Sequence, residues 1–180
     1  MQHVLGAFAL KLVSSSPCPI FIVQDKNIEN HGYKNILLPI DRTKESKQKA
    51  YQTIALSKIY GCKIHLFATY EKDEYFSISV KANMLFVKSK LEEHNIEVAY
   101  ENYQESSIKD SCSNQSLKFA ELNKIDLILI MTSEDKGIIG VIVGAEDEKI
   151  INNEASIPVM YIDPINAMIM GSVISFGGFS

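Results

Sequence analysis

The sequence predicts an α/β domain built on a doubly wound, five-stranded parallel sheet with one extra antiparallel edge strand. Two observations support the parallel sheet. From Tyr33 onward, short apolar runs alternate with segments of helical periodicity, which is the pattern of β-α-β units. The apolar runs are nearly continuous rather than alternating with polar residues, as is typical of parallel strands that are buried on both faces.

The elements follow in a regular order. Strands are predicted at residues 35–40, 63–68, 96–100, 126–131 and 158–162, and helices at residues 45–60, 76–91, 111–122 and 146–153. In the first helix, the apolar positions Ala50, Ile54, Ala55 and Ile59 are spaced as on one helix face, and Gly61 marks the helix end. Sheets of this kind bind ligands beyond the carboxyl ends of their strands, at a topological switch point.

The extra edge strand is predicted from an internal repeat. Gly6-Ala7 and Lys11 have the same spacing as Gly144-Ala145 and Lys149, and each set is followed by a proline and an apolar run. The two stretches lie about one domain length apart, which indicates tandem copies. The alternative is chance similarity between two short stretches. If the copies are real, Ile20–Val23 is the last strand of a preceding copy and pairs antiparallel with Val159–Ile162 about a pseudo-two-fold axis.

The repeat divides the chain into four parts. Residues 1–25 hold the last helix and strand of a truncated preceding copy, and residues 26–32 form a linker. Residues 33–164 form one complete domain, and residues 165–180 form an apolar tail.

The complete domain resembles the universal stress protein family. The resemblance rests on Pro39-Ile40-Asp41 at the end of the first strand, on residues 117–131, and on Gly144 followed by a helix and a proline-headed strand. It implies an adenine nucleotide alpha hydrolase-like fold with flavodoxin-like layering. The family also contains tandem two-domain members, and many members dimerise through the last strand.

The resemblance also implies where a nucleotide would bind. Nucleotide-binding members carry Gly-x2-Gly-x9-Gly-(Ser/Thr) after the fourth strand, where glycines let backbone N–H groups approach phosphate. The residues that match or replace family positions around this site are Ile40, Asp41, Ala68, Met131, Thr132, Gly137, Gly140, Gly144 and Ala145. For Asp41, the alternative is that it closes the first strand and caps the next turn.

The nucleotide motif is degenerate in this sequence. Residues 132–135 contain no glycine where the first glycine pair should stand, and only three residues separate Gly140 from Gly144 instead of nine. Ala145 lacks the hydroxyl of the family's Ser/Thr. Carboxylates at residues 134, 135, 146 and 147 would repel a triphosphate unless Mg²⁺ intervened.

These features predict a non-catalytic stress-response module that acts through protein–protein contacts. No catalytic residues, metal or cofactor are expected, and the protein forms a homodimer or an intramolecular pseudo-dimer through Ile20–Val23 and Val159–Ile162. The alternative is an adenine-nucleotide sensor or weak ATPase that binds ATP or AMP. A third interpretation, an electron-transfer flavoprotein-like relative, has no flavin site in the sequence to support it.

Composition excludes several other classes. The net charge is −4 and no basic run is present, so nucleic acid is not an expected partner. Lys11 interrupts the apolar N-terminal segment, and the apolar tail is too short to span a bilayer, so no membrane association is expected. Three scattered cysteines favour a reducing, cytoplasmic location over a disulfide or zinc framework.

Overall fold

A computed structural model describes residues 12–13, 16, 18–24, 32–68, 74–102, 110–131 and 145–162 of the 180-residue chain. These residues contain a six-stranded sheet with helices packed on both faces. The strands are β1 (Ile20–Ile22), β2 (Asn35–Ile40), β3 (Lys63–Ala68), β4 (Val98–Asn102), β5 (Leu127–Met131) and β6 (Val159–Ile162). The helices are α1 (Lys49–Tyr60), α2 (Glu74–Glu92), α3 (Cys112–Leu122) and α4 (Ala145–Ile151), and a 3-10 turn (Lys44–Lys47) precedes α1.

The strands and helices predicted from the sequence are present, with some shifted ends. β2 and β3 have the predicted limits, whereas β4 begins two residues later than predicted, after a turn that contains Asn95 in a left-handed conformation (φ 56°). The division into two copies and a linker stays a prediction. Most of residues 1–17 and all of residues 163–180 lie outside the described part of the chain.

The strand order is β1-β6-β5-β2-β3-β4, and β2 to β6 run parallel. β2 is the central switch point, because the chain proceeds from it to β3 on one side and reaches β5 on the other. This confirms the doubly wound parallel sheet, and it places the expected ligand position between the carboxyl ends of β2 and β5.

Each face of the sheet carries its own apolar core. Leu38 and Leu66 pack under α1 and α2 with Met84, and Leu37 and Ile128 pack under α3 and α4. The two leucines of β2 are fully buried on opposite faces, which is why the strand is apolar at consecutive positions. Burying a side chain of this size contributes about 1.5–3 kcal/mol before the entropy cost of ordering the chain.

β2 and β5 separate toward their carboxyl ends. Their ladder contains only the pairs Ile36↔Leu127 and Leu37↔Ile128, whereas the β2–β3 ladder continues to Ile40↔Ala68. Pro39 follows shortly after the last β2–β5 pair, and proline has no N–H to donate to a ladder. The result is a fork in the sheet at the predicted ligand position.

The extra edge strand is confirmed. β1 pairs antiparallel with β6 in the register Ile20↔Tyr161, Phe21↔Met160 and Ile22↔Val159. Beyond the strand, Gln24 Nε2 donates to the carbonyl oxygens of Ile151 (3.0 Å) and Asn153 (3.2 Å), which fixes the segment against the end of α4. The origin of β1 in a preceding copy, and the pseudo-two-fold axis, stay predictions.

The amino ends of the parallel strands are held by a partly buried polar cluster. The Asp126 carboxylate accepts hydrogen bonds from the backbone N–H groups of Lys34 (2.9 Å) and Asn35 (3.1 Å). The side chain of Asn35 in turn contacts His65 Nε2 at 3.1 Å. These contacts join the start of β2 to the starts of β5 and β3.

The apolar face predicted for α1 is only partly buried. Ala50 and Ile54 are buried, but Ala55 is only half-buried and Ile59 is 72% exposed. The helix leaves the sheet before Ile59, and its buried surface instead extends to Lys49 and Thr53. Among the helices in the described ranges, none is long and apolar enough to cross a membrane.

Candidate functional site

A cavity of about 280 Å³ lies at the fork between β2 and β5. Five elements or their flanking residues line it: the end of β2, the turn and α1 that follow, the first turns of α3, the end of β5, and α4. Its polar lining includes Asp41, Lys49, Ser113, Glu146 and Asp147, and its apolar lining includes Ile130 and Met131. The volume is at the lower limit of the roughly 300–1,000 Å³ that is usual for small-molecule sites.

Asp41 follows β2 directly and organises the next turn. Its Oδ1 accepts hydrogen bonds from Thr43 N (2.8 Å), Thr43 Oγ1 and Ser46 Oγ (2.8 Å). Burial by itself would raise the pKa of Asp41, but the nearby Lys49 and these donors outweigh it and lower the pKa below its usual value. Asp41 therefore does cap the turn, and it lines the cavity as well.

The turn after Asp41 is also fixed from α2. Asn83 is 5% exposed, and its Nδ2 donates to the carbonyl oxygens of Asp41 (2.9 Å) and Thr43 (2.7 Å). Both amide hydrogens are thus used on a loop that carries no regular secondary structure of its own. This rigid support keeps the Asp41 carboxylate in one position at the cavity wall.

Lys49 is the buried cation of the site. It is 3% exposed, and its Nζ donates to the Pro39 carbonyl oxygen at 2.6 Å. Pro39 and Lys49 both line the cavity, so the ammonium lies at its edge rather than in solvent. A buried ammonium needs compensating negative charge, which Asp41 and Asp147 supply.

The two carboxylates at the start of α4 behave differently. Glu146 Oε2 accepts hydrogen bonds from Ser113 N (3.0 Å) and Ser113 Oγ (2.8 Å). Burial would raise the pKa of Glu146, but the Ser113 donors lower it overall. Asp147 accepts no hydrogen bond from the described residues, and burial, followed by repulsion from Asp41 and Glu146, raises its pKa to about 6 despite the attraction of Lys49.

The structure brings only some of the predicted site residues together. Asp41 and Met131 line the cavity. Ile40 and Ala68 end their strands as predicted, but both pack in the apolar core under α1 and α2. Ala145 lines a separate groove of about 600 Å³ between α3 and α4. Thr132, Gly137, Gly140 and Gly144 lie outside the described residues.

Sequence reasoning did not single out Lys49. A signal was present, because Lys49 is four residues before Thr53 and seven before Leu56, and this spacing places all three on one helix face. A lysine that continues a buried face is a candidate for a buried charge. Ser113 gave no comparable signal, since its role depends on how α3 and α4 pack. Within the described ranges, no cluster of residues suited to binding a metal ion is present.

The sequence and the fold agree with a known family. The family model described as "Universal stress protein family" matches residues 32–163, which is more than half of the chain. The chain belongs to the universal stress protein family. No curated protein matches the chain significantly.

Solved structures show the same fold at low sequence identity. A universal stress protein from Archaeoglobus fulgidus superposes with a TM-score of 0.64 at 16% identity, over 84% of this chain and 52% of that protein. A candidate universal stress protein from Pseudomonas aeruginosa gives a TM-score of 0.64 at 14% identity, over 97% of this chain and 63% of that protein. A universal stress protein in complex with cAMP gives a TM-score of 0.58 at 10% identity, over 74% of this chain and 98% of that protein.

This universal stress protein chain thus spans about half of the Archaeoglobus structure. At these identities the similarity shows the fold alone. What the chain binds and what it does must be argued from its own residues.

Proposed function

We propose that this universal stress protein chain is a non-catalytic, cytoplasmic stress-response module that acts through protein–protein contacts and does not bind ATP tightly. We further propose that it belongs to the tandem type, with β1 contributed by a preceding copy. The observation that carries the proposal is the excess of carboxylates at the carboxyl end of the sheet. Asp41, Glu146 and Asp147 line the cavity there, against two cations of its described lining, the buried Lys49 and the exposed Arg42.

The charge balance opposes a triphosphate. A phosphate oxygen about 4 Å from one ionised carboxylate is disfavoured by about 4 kcal/mol at an effective dielectric of 20, before screening by salt. Glu146 is ionised at neutral pH, because its pKa is lowered, and Asp41 is ionised for the same reason. The cavity volume of about 280 Å³ also leaves little room for a complete ATP molecule.

Protein contacts are supported by the edge of the sheet at β1 and β6. β1 covers the outer edge of β6, and an uncovered strand edge pairs readily with another chain. The last strand therefore meets an antiparallel partner within this chain, as in a pseudo-dimer. β1 is only three residues long, with Phe21 40% exposed and Val23 beyond it 41% exposed, so a further chain could extend the sheet from this side.

Nucleotide binding is tested by thermal shift with millimolar Mg-ATP near neutral pH. A ligand at 100 times its dissociation constant stabilises a protein by about 2.7 kcal/mol, which is several degrees for a domain of this size. We expect no shift and no ATP hydrolysis above the buffer rate. A clear shift, or nucleotide that co-purifies with the protein, would contradict the proposal.

The role of β1 in covering the edge of β6 is tested with a variant that detaches β1 from β6. Ile22 is 6% exposed, so Ile22→Asp places a charge in the core and should detach β1 from β6. The freed β6 edge is then expected to pair with a second copy, which increases the mass measured by light scattering. Val23→Asp, at an exposed position one residue later, is the matched control and should leave the mass unchanged. An unchanged mass for Ile22→Asp would contradict this role.

The second candidate function is an adenine-nucleotide sensor or weak ATPase for ATP or AMP. It is favoured by one observation, the buried Lys49 at the edge of the cavity, since an ammonium in this position suits a ligand phosphate. A related fold has been solved in complex with cAMP. The Mg-ATP experiment separates the two candidates directly.

A further inference from the structure

Helix α2 has one apolar face toward the domain and a second apolar face toward solvent. The first face is made by Val80, Met84, Val87 and Leu91, all of which are buried in the core under α1 and α2. These four residues account for the packing of α2 on the sheet. The outer face of a surface helix is normally polar, so a second apolar stripe on α2 is not explained by the fold of the domain.

The outer α2 stripe consists of Tyr75, Ile78, Ala82 and Leu85. Tyr75 is 73% exposed, Ile78 is 59% exposed and Leu85 is 66% exposed, and Ala82 is exposed as well. Successive members are three, four and three residues apart, which is the spacing of the a and d positions of a coiled coil. The stripe lies on the side of α2 opposite to its buried face, so a second helix can reach it directly.

We propose that the outer α2 stripe is the contact surface of a weak dimer of this chain, in which the α2 helices of two copies pack antiparallel about a two-fold axis. The inference goes beyond the proposed function, because the surface is separate from the β1–β6 edge. Helix α2 packs over β2, β3 and β4, whereas β1 lies at the other end of the strand order.

The stripe is complementary to itself in one antiparallel register. Placing Ile78 against Ala82 of the partner subunit also places Tyr75 against Leu85 of the partner subunit. By the two-fold symmetry each of these layers occurs twice, so every member of the stripe faces an apolar side chain. The larger Ile78 then meets the smaller Ala82, as close packing of two helices requires.

The charges beside the stripe favour the same register. Glu74 and Lys88 flank opposite ends of the stripe, one residue before a position of the a/d series or four residues after one. In the antiparallel register Glu74 lies beside Lys88 of the partner subunit, again twice. Lys88 already lies 3.7 Å from Glu92 of its own helix, but this pair is exposed and weak, so the ammonium can be shared. Opposing these contacts, Lys81 meets Lys81 of the partner subunit near the axis.

The size of the contact sets the expected affinity. Each copy contributes four apolar side chains from one helix, which corresponds to the small, transient class of interface that buries less than about 1,200 Å². We therefore expect a reversible dimer with a dissociation constant on the order of 10–100 µM. Sedimentation velocity of the full chain between about 5 µM and about 500 µM covers this range.

Matched substitutions test which surface is used. Ile78→Gln and Leu85→Gln keep a good helix former at an exposed position, so the fold should be retained. Because each residue is used twice in the dimer, we expect each variant to weaken association by at least about 10-fold. Leu122→Gln is the control, since Leu122 is 83% exposed at the end of α3 and lies outside the stripe. It should associate like the wild type.

A mixing experiment tests the antiparallel register. In a dimer of Lys81→Glu, two carboxylates meet where two ammonium groups meet in the wild type. An equimolar mixture of the variant and the wild type instead places a carboxylate beside an ammonium. We expect the mixed dimer to be about 5-fold tighter than either dimer alone. The preference should fall at high salt.

The outcomes separate the possible occupants of the stripe. A wild-type chain that stays monomeric up to about 500 µM would overturn the inference and leave the stripe to a helix of another protein. A dimer that Ile78→Gln and Leu85→Gln leave unchanged, with both variants folded by far-UV circular dichroism, would overturn it too. Equal affinity of mixed and unmixed dimers would refute the two-fold register. The proposed function is tested separately, by Mg-ATP binding and at the β1–β6 edge.

Discussion

The two ends of the parallel sheet differ in how completely their carboxylates are hydrogen-bonded. At the amino ends, Asp126 accepts hydrogen bonds from two backbone N–H groups and joins the starts of neighbouring strands. At the carboxyl ends, Asp147 has no hydrogen bond from the described residues, and Lys49 has one. Both ends contain carboxylates beside polar groups, so composition alone does not separate them. Burial raises the pKa of both Asp126 and Asp147, but hydrogen-bond donors oppose that rise only at Asp126, so the difference lies in the hydrogen bonds that each carboxylate receives.

This difference assigns a role to each end. A charge whose partners are all supplied by the fold stabilises the fold and has nothing left to offer a ligand. A charge that is only partly paired lowers the stability of the fold. Such charges occur at sites where a ligand or a proton can supply the missing interaction. The amino end is therefore structural and the carboxyl end is suited to binding.

The largest expected effect is at the amino end. Asp126→Ala leaves the partly buried N–H of Asn35 and the exposed N–H of Lys34 without their acceptor, and such a loss costs about 1–3 kcal/mol at a buried donor and less at an exposed one. We expect the free energy of unfolding to fall by about 2–3 kcal/mol in urea denaturation. Asp126→Asn keeps one acceptor oxygen and should lose about half as much. A loss below about 1 kcal/mol for Asp126→Ala would show that this end is not the structural one.

The second expected effect is a gain in the free energy of unfolding, and it concerns Asp147 at the carboxyl end. The pKa of Asp147 is raised from 3.8 to about 6, so the folded state binds the proton more tightly than the unfolded state does. The contribution of Asp147 to stability is therefore favourable at low pH and is lost as the pH rises from about 4 to about 6. Asp147→Asn should match the wild type near pH 4 and be more stable by about 2 kcal/mol near pH 7.

Urea denaturation of both proteins over this pH range measures that difference. Glu148→Gln, on the same helix, is the control and should show no such pH-dependent gain. A variant Asp147→Asn that is less stable than the wild type near pH 7 would mean that the carboxylate is well paired after all.

The smallest expected effect is a loss of stability at Gly61, near the amino end of the sheet. Gly61 ends α1 with φ 60°, and its N–H donates to the Ser57 carbonyl at 2.8 Å. A Cβ at this position would meet no atom within 4 Å, so Gly61→Ala introduces backbone strain alone, about 1 kcal/mol. Gly61→Asn should cost less, because asparagine tolerates this conformation better. Thermal denaturation that detects no change in Gly61→Ala would refute the assignment of the cap.

The sequence predicts the fold better than the site, for a physical reason. Continuous apolar runs and helical periodicity are local patterns, and they identified β2, β3 and α2 within a few residues. The repeat of a proline-headed strand predicted the β1–β6 pairing between distant segments. Asp41 could be predicted at the cavity because it directly follows a strand. Lys49 had a signal in its helical spacing with Thr53 and Leu56, whereas Ser113 could not be predicted, since its position depends on how α3 and α4 pack around the fork.

The fork also suggests a way to tune the size of the cavity. The β2–β5 ladder stops at Leu37, and Pro39 supplies only a carbonyl oxygen, which Lys49 occupies. Each additional rung between these strands would draw their carboxyl ends together and narrow the opening between them. The number of paired residues between β2 and β5 therefore sets the width of the opening of the cavity. A designer could adjust that aperture at Pro39 without altering a single charged residue.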